Sequence, residues 1–138
     1  MANRKKCLVD TSVLIALFRK NENAKAALDS LAANDTYICD ITFLEILAGC
    51  STTEKREYAL NLLEVYGLLK NNENISDKSM QLMKRYCVQR TGQPMLRLGD
   101  CLIAAFAVYH KMELLTFNKK DFDFIQGVFI HPLSNNNK

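Results

Sequence analysis

Short, largely apolar runs alternate along this chain with stretches of helical periodicity, and no other feature limits its possible folds as much. Cys7-Leu8-Val9, Tyr37-Ile38-Cys39, Glu113-Leu114-Leu115-Thr116 and Gly127-Val128-Phe129-Ile130 are too short for helices and read as strands. Residues 68–75 add a poor edge-strand candidate. Between these runs, Thr11-Ser12 can cap a helix through Phe18, and residues 22–33 predict a second with Ala26, Ala27, Leu28 and Leu31 facing inward. Thr42 can cap a helix that carries Glu45 and stops near Gly49, and Thr53 to Tyr66 reads as a helix with a broad apolar face. Ser76 or Asp77 opens another through Cys87, and Asp100 opens the last, whose Ala104, Ala105 and Ala107 suit close packing on a sheet. Strands alternating with helices predict an α/β fold, a three-layer α/β/α sandwich around a right-handed parallel sheet of four or five strands.

At 138 residues the chain is long enough for one domain with a sizeable core, expected over residues 1–133, with a disordered tail over residues 134–138. A net charge of +3 is compatible with a polyanionic partner without requiring one. The five cysteines are odd in number, lack Cys-x-x-Cys spacing and sit among apolar residues, so they read as reduced thiols rather than a disulfide frame or a zinc site. Arg4-Lys5-Lys6 before an apolar run mimics a secretion signal, but Asp10 interrupts that run. No run approaches a membrane span, so the expectation is a soluble, cytoplasmic protein without membrane contact.

In parallel sheets of this kind, ligands bind beyond the carboxyl ends of the strands. The predicted elements bring four polar residues to that edge: Asp10 after the first strand, Glu45 in the helix after the second, Asp100 heading the last helix, and Asn118 after the Leu114–Thr116 strand. Each has a structural explanation too. Asp10 and Asp100 suit the start of a helix, where the macrodipole favours an acid, and Thr11 and Ser12 suit caps. If the acids do converge, they repel one another, and a hard divalent cation held by oxygen ligands, Mg²⁺ or Mn²⁺, relieves that repulsion. The chemistry that follows is phosphodiester hydrolysis. The chain has no Gly-rich phosphate loop, no Gly-x-Ser-x-Gly elbow and no plausible Cys/His pair to supply a competing chemistry.

Leu8-Val9-Asp10-Thr11-Ser12-Val13-Leu14-Ile15 resembles the opening motif of PIN-domain ribonucleases. Thr42-x-x-Glu45-x-x-x-Gly49 is similar to the second motif and Asp100-x-x-Ile103-Ala104-Ala105-x-Ala107 to the third. Leu115-Thr116-Phe117-Asn118-Lys119-Lys120-Asp121-Phe122 is similar to the fourth. Order, spacing and length resemble the VapC toxins of toxin–antitoxin pairs over nearly the whole chain. The resemblance implies a PIN-like fold and a Mg²⁺- or Mn²⁺-dependent endoribonuclease. It makes Asp10, Glu45 and Asp100 metal ligands, places Asn118 with them in the catalytic set, and gives Thr11 or Ser12 a supporting hydrogen bond. The fourth position is often Asp in that family; Asn118 removes one negative charge and argues against a second metal, with Asp121 either substituting for it or closing a turn. Arg97, Lys119 and Lys120 lie beside the motifs, where they can grip RNA phosphates. The family further implies a homodimer and a small antitoxin, for whose contacts the apolar face of residues 58–66 with Met80 and Met83 is the candidate. Two other functions fit the same residues: a PIN-fold module that binds RNA or protein without cutting, which Asn118 alone supports, and a nuclease of RNA processing.

Overall fold

The computed structural model describes residues 6–136, so Arg4 and Lys5 of the basic start lie outside the described residues. Strands β1 (Cys7–Val9), β2 (Thr36–Cys39), β3 (Gly67–Leu69), β4 (Glu113–Leu115) and β5 (Phe129–Ile130) form one sheet in the order β3-β2-β1-β4-β5. Every pairing is parallel, with Cys7 opposite both Thr36 and Glu113. Helices α1 (Thr11–Phe18), α2 (Glu22–Asp29), α3 (Asp40–Ala48), α4 (Thr53–Leu63), α5 (Glu73–Tyr86) and α6 (Leu98–His110) complete the fold, with short 3₁₀ turns at Ala33–Asp35, Lys119–Asp121 and Pro132–Asn136.

Alternation along the strands divides the core into two layers, because successive side chains point to opposite faces. Leu8, Cys39 and Leu114 pack with Ile75, Leu82 and Tyr86 of α5 and Phe106 of α6. Cys7, Val9, Ile38 and Leu115 pack on the other side with residues of α1 to α4, including Val13, Leu14, Ile46, Ala59 and Leu63. This is the three-layer α/β/α sandwich expected. The chain winds outward from β1 to β3, then returns to lay β4 against the other side of β1. That reversal opens a crevice beyond the ends of β1 and β4, where open α/β sheets bind ligands.

Several element boundaries differ from expectation, each for a local reason. The edge strand stops at Leu69, and α5 starts at Glu73 because the Asn72 side chain accepts a hydrogen bond from the Ile75 amide at 2.9 Å; Ser76 and Asp77 lie inside the helix. Helix α6 begins at Leu98 with Arg97 as its N-cap, so Asp100 is its third residue. Thr42 does not cap α3, which starts at Asp40; it is fully buried and turned toward α1. Asp10, not Thr11 or Ser12, occupies the N-cap of α1. Helices α2 and α4 end at Asp29 and Leu63, and β5 covers only Phe129–Ile130. In α2, Ala24 is buried with Ala27 and Leu28, while Ala26 is exposed. A disordered tail was expected from Ser134. Ser134 is buried in the last 3₁₀ turn, and Asn137 and Lys138 lie outside the described residues. Among the described residues, no helix is long and apolar enough to cross a membrane.

Candidate active site

Strand β1 is apolar on both faces and fully buried, and the residue that ends it is a carboxylate with only 3% of its surface exposed. The Asp10 amide donates to Leu115 O at 2.8 Å, which locks this residue between the ends of β1 and β4. Its Oδ2 accepts from the Ser12 hydroxyl at 2.6 Å and the Thr116 hydroxyl at 2.8 Å. Burial pushes the Asp10 carboxyl above the usual carboxylate range, and these two hydroxyls oppose that rise. The hydroxyls are themselves held. Ser12 Oγ accepts from the Phe117 amide at 3.1 Å, and Thr116 Oγ1 accepts from the Asn118 amide at 3.0 Å. The Thr116 amide donates to Ser134 Oγ at 3.1 Å.

Glu45 reaches the crevice from α3. It lies on an exposed part of the helix, next to an exposed Leu44, so its apolar neighbours in sequence do not enclose it. Its carboxylate is nevertheless fixed: Thr11 Oγ1 donates to Oε1 at 2.6 Å. With that proton committed, the buried Thr42 hydroxyl is left as donor in its 3.0 Å contact with Thr11 Oγ1. Thus β1's end and α3 are joined by a chain of hydroxyls.

Asp100, half-buried in the first turn of α6, records the field of the whole crevice. Its carboxyl is pushed up to about 6, first by burial and then by the negative charges of Asp10 and Asp121, with Arg97 opposing and Glu45 adding a smaller rise. Asp10, Glu45 and Asp121 therefore all lie within electrostatic reach of Asp100. Asn118 is exposed, and its carbonyl accepts from the Asp121 amide at 2.9 Å. The turn so closed, anchored by the fully buried Phe122, carries Asp121 toward the other acids. Asp121 thus closes a turn and also raises the Asp100 carboxyl through its negative charge. Lys119 and Lys120 are exposed on the same turn, and exposed Arg97 stands at the entry to α6.

Among the described residues, no group of three or more His, Cys, Asp and Glu side chains stands close enough to hold a metal ion in this arrangement. The acids surround one crevice without the tight convergence the sequence suggested, as expected for like charges in a partly buried space. The donor set is nonetheless oxygen-only, carboxylates backed by hydroxyls, and suits a hard divalent cation of the Mg²⁺ class better than a soft one.

Sequence reading missed four participants: Thr42, Gly99, Thr116 and Ser134. Thr116 had a visible signal, a hydroxyl ending an apolar strand; Ser134 had none, since its role depends on where the chain returns after β5. The broad apolar face of residues 58–66 divides. Ala59 and Leu63 are core, whereas Tyr58 and Val65 are exposed and edge a groove of about 580 Å³ between α2 and α4. A second groove, about 480 Å³, runs between α1, α3 and α4 and reaches Glu45. Met80 is exposed, and Met83 packs partly against the core.

Residues 7–127 match the family model of the PIN domain. Ribonuclease VapC1 of Rickettsia felis is 28% identical over 131 residues, covering 92% of this chain and 96% of that protein. Ribonuclease VapC10 of Mycobacterium tuberculosis is 33% identical over 112 residues, covering 80% of this chain and 81% of that protein. Among solved structures, a chain of a toxin–antitoxin complex from Klebsiella pneumoniae superposes with a TM-score of 0.75 at 30% identity, covering 89% of this chain and 95% of that one.

Proposed function

The chain belongs to the PIN-domain family, and we propose that it is a Mg²⁺- or Mn²⁺-dependent endoribonuclease, the toxin of a toxin–antitoxin pair. The observation that carries this reading is the arrangement at one crevice of the sheet: hydroxyls hold Asp10 at the end of β1 and Glu45 of α3, and the first turn of α6, with Gly99 against Glu45 Oε2, brings Asp100 beside them. The relatives named as ribonucleases and the Klebsiella pneumoniae toxin–antitoxin neighbour support the same reading.

Asp10, Glu45 and Asp100 would hold the ion. The chemistry supplied at such a centre is activation of a water and stabilisation of charge on the phosphoryl group. The protein's part is placement. Ser12 and Thr116 fix the Asp10 carboxylate, and Thr11 fixes that of Glu45. Asp100 gives up its proton near pH 6 and so presents its charged form at neutral pH. Asp121 adds negative charge behind Asp100, and Asn118 holds the turn that carries it. Arg97, Lys119 and Lys120 edge the crevice, where the phosphates of RNA would pass.

The partner expected is a small antitoxin, the working form a homodimer, and the compartment the cytoplasm, where free thiols such as those of the five cysteines persist. The test is cleavage of a mixed RNA panel with Mg²⁺ or Mn²⁺. Chelator should abolish cutting, and Asp10→Asn or Asp100→Asn should lower it at least about 100-fold, in line with loss of a metal ligand. Undiminished cutting by both variants would refute the assignment. Growth arrest on expression, relieved by the product of the adjoining reading frame, separates a toxin from a nuclease of RNA processing.

A further inference from the structure

Gly99 is the second residue of α6, and its backbone does not explain its identity. The glycines with positive φ are Gly92 and Gly127, so Gly99 needs no conformation forbidden to other residues. Helices disfavour glycine relative to alanine at such a place. The reason for it is found across the crevice. A Cβ at Gly99 would stand 3.1 Å from Glu45 Oε2 and 4.0 Å from its carboxyl carbon. The nearer of these is tighter than normal carbon–oxygen packing, so the carboxylate would have to give way. Glu45 is poorly placed to do so, because its other oxygen is tied to Thr11 at 2.6 Å, and Thr11 is buried and braced by buried Thr42.

Building on the function proposed above, we propose that Gly99 is a positioning residue. Its bare α-carbon lets the first turn of α6 close against Glu45 and hold that carboxylate between the Thr11 hydroxyl and α6. Since Asp100 follows directly in the chain, Gly99 sets the separation between the two acids that approach from α3 and α6. A side chain at residue 99 displaces the Glu45 carboxylate by a few tenths of an ångström without removing any charged group.

The test is Gly99→Ala, read three ways. Mn²⁺ affinity by calorimetry should fall about 10-fold, the loss typical when a group that orients a ligand is disturbed. On RNA, kcat should fall by a similar factor while KM stays within about twofold, since substrate contacts are untouched. The melting temperature should hold or rise, because alanine favours the helix. Combining Gly99→Ala with Glu45→Asp, whose carboxylate is one methylene shorter, should recover part of the Mn²⁺ affinity lost by Gly99→Ala alone. Unchanged Mn²⁺ affinity and kcat in Gly99→Ala would overturn the proposal. Wild-type protein that takes up no Mn²⁺ and cuts no RNA would instead sink the functional reading. The ¹³C resonance of the Glu45 carboxyl in metal-free protein then decides the positioning claim: a clear displacement in Gly99→Ala upholds it, and an unmoved resonance overturns it.

Discussion

Replacing one hydroxyl by a methyl at Thr11 separates the placement of Glu45 from its charge. Thr11→Val keeps the shape of a buried residue but removes the 2.6 Å donor to Oε1. A hydrogen bond to a charged group is worth about 1.5–3 kcal/mol, so cleavage should fall about 10- to 100-fold; the melting temperature should also fall, because the buried Thr42 hydroxyl loses its acceptor, and Thr11→Ser should restore much of both. Asp100 gives a prediction in pH. Burial and the nearby negative charges push its carboxyl from the ordinary 3.8 up to about 6 in the folded protein, so the folded state holds the proton more tightly than the unfolded chain. Its contribution to stability is complete below the unfolded value and is lost as pH rises through about 6. Melting curves of metal-free protein should therefore show Asp100→Asn gaining stability over wild type at pH 7 and little at pH 4. Mn²⁺ affinity of the wild type should climb with pH through the titration of Asp100 at about 6 and of Asp10, whose carboxyl burial also raises, because the ion requires both acids ionised.

Capping decides where elements begin, and it is also where sequence and structure part company. Asn72 caps α5 through the Ile75 amide. Asn72→Ala should cost about 1 kcal/mol and lower the melting temperature by roughly 4 °C, with Asn72→Asp near wild type and RNA cleavage at low temperature unaffected. Ser76 and Asp77 were the caps expected from sequence, but Asn72 takes that place, where the Ile75 amide it accepts from belongs to a residue docked in the core. Strand identities were legible because β1, β2 and β4 are buried on both faces and leave almost unbroken apolar runs. Asp10 and Asp100 were legible as polar residues at the ends of such runs. Thr42, Gly99 and Ser134 were not, since a threonine within a helix, a helical glycine and a serine near the terminus acquire meaning only from partners far along the chain. Glu45 has apolar neighbours in sequence, yet the structure exposes it and holds its carboxylate through Thr11, a contact invisible in the sequence.

At the scale of the molecule, the fold concentrates acids at one edge of the sheet while the chain as a whole carries a net charge of +3. Burial raises the carboxyls of both Asp10 and Asp100, and neighbouring negative charges raise Asp100 further, so the metal-free protein carries an electrostatic cost at that edge. A cation that binds only the folded state stabilises it by mass action, about 2.7 kcal/mol at a hundred times its dissociation constant. Thermal melts should accordingly rise with added Mn²⁺ and return with chelator. Asp10→Asn should melt higher than wild type without metal and lose the Mn²⁺ response; a response retained in full would show that the ion binds elsewhere. The clasp between the Thr116 amide and Ser134 extends this edge to the far end of the chain. Cutting the protein after Leu133, where a boundary drawn from sequence would fall, leaves the Thr116 amide orphaned directly beneath the hydroxyl that steadies Asp10. Ser134 is therefore a keystone for the nuclease edge, and a version trimmed before it should fold yet cut poorly.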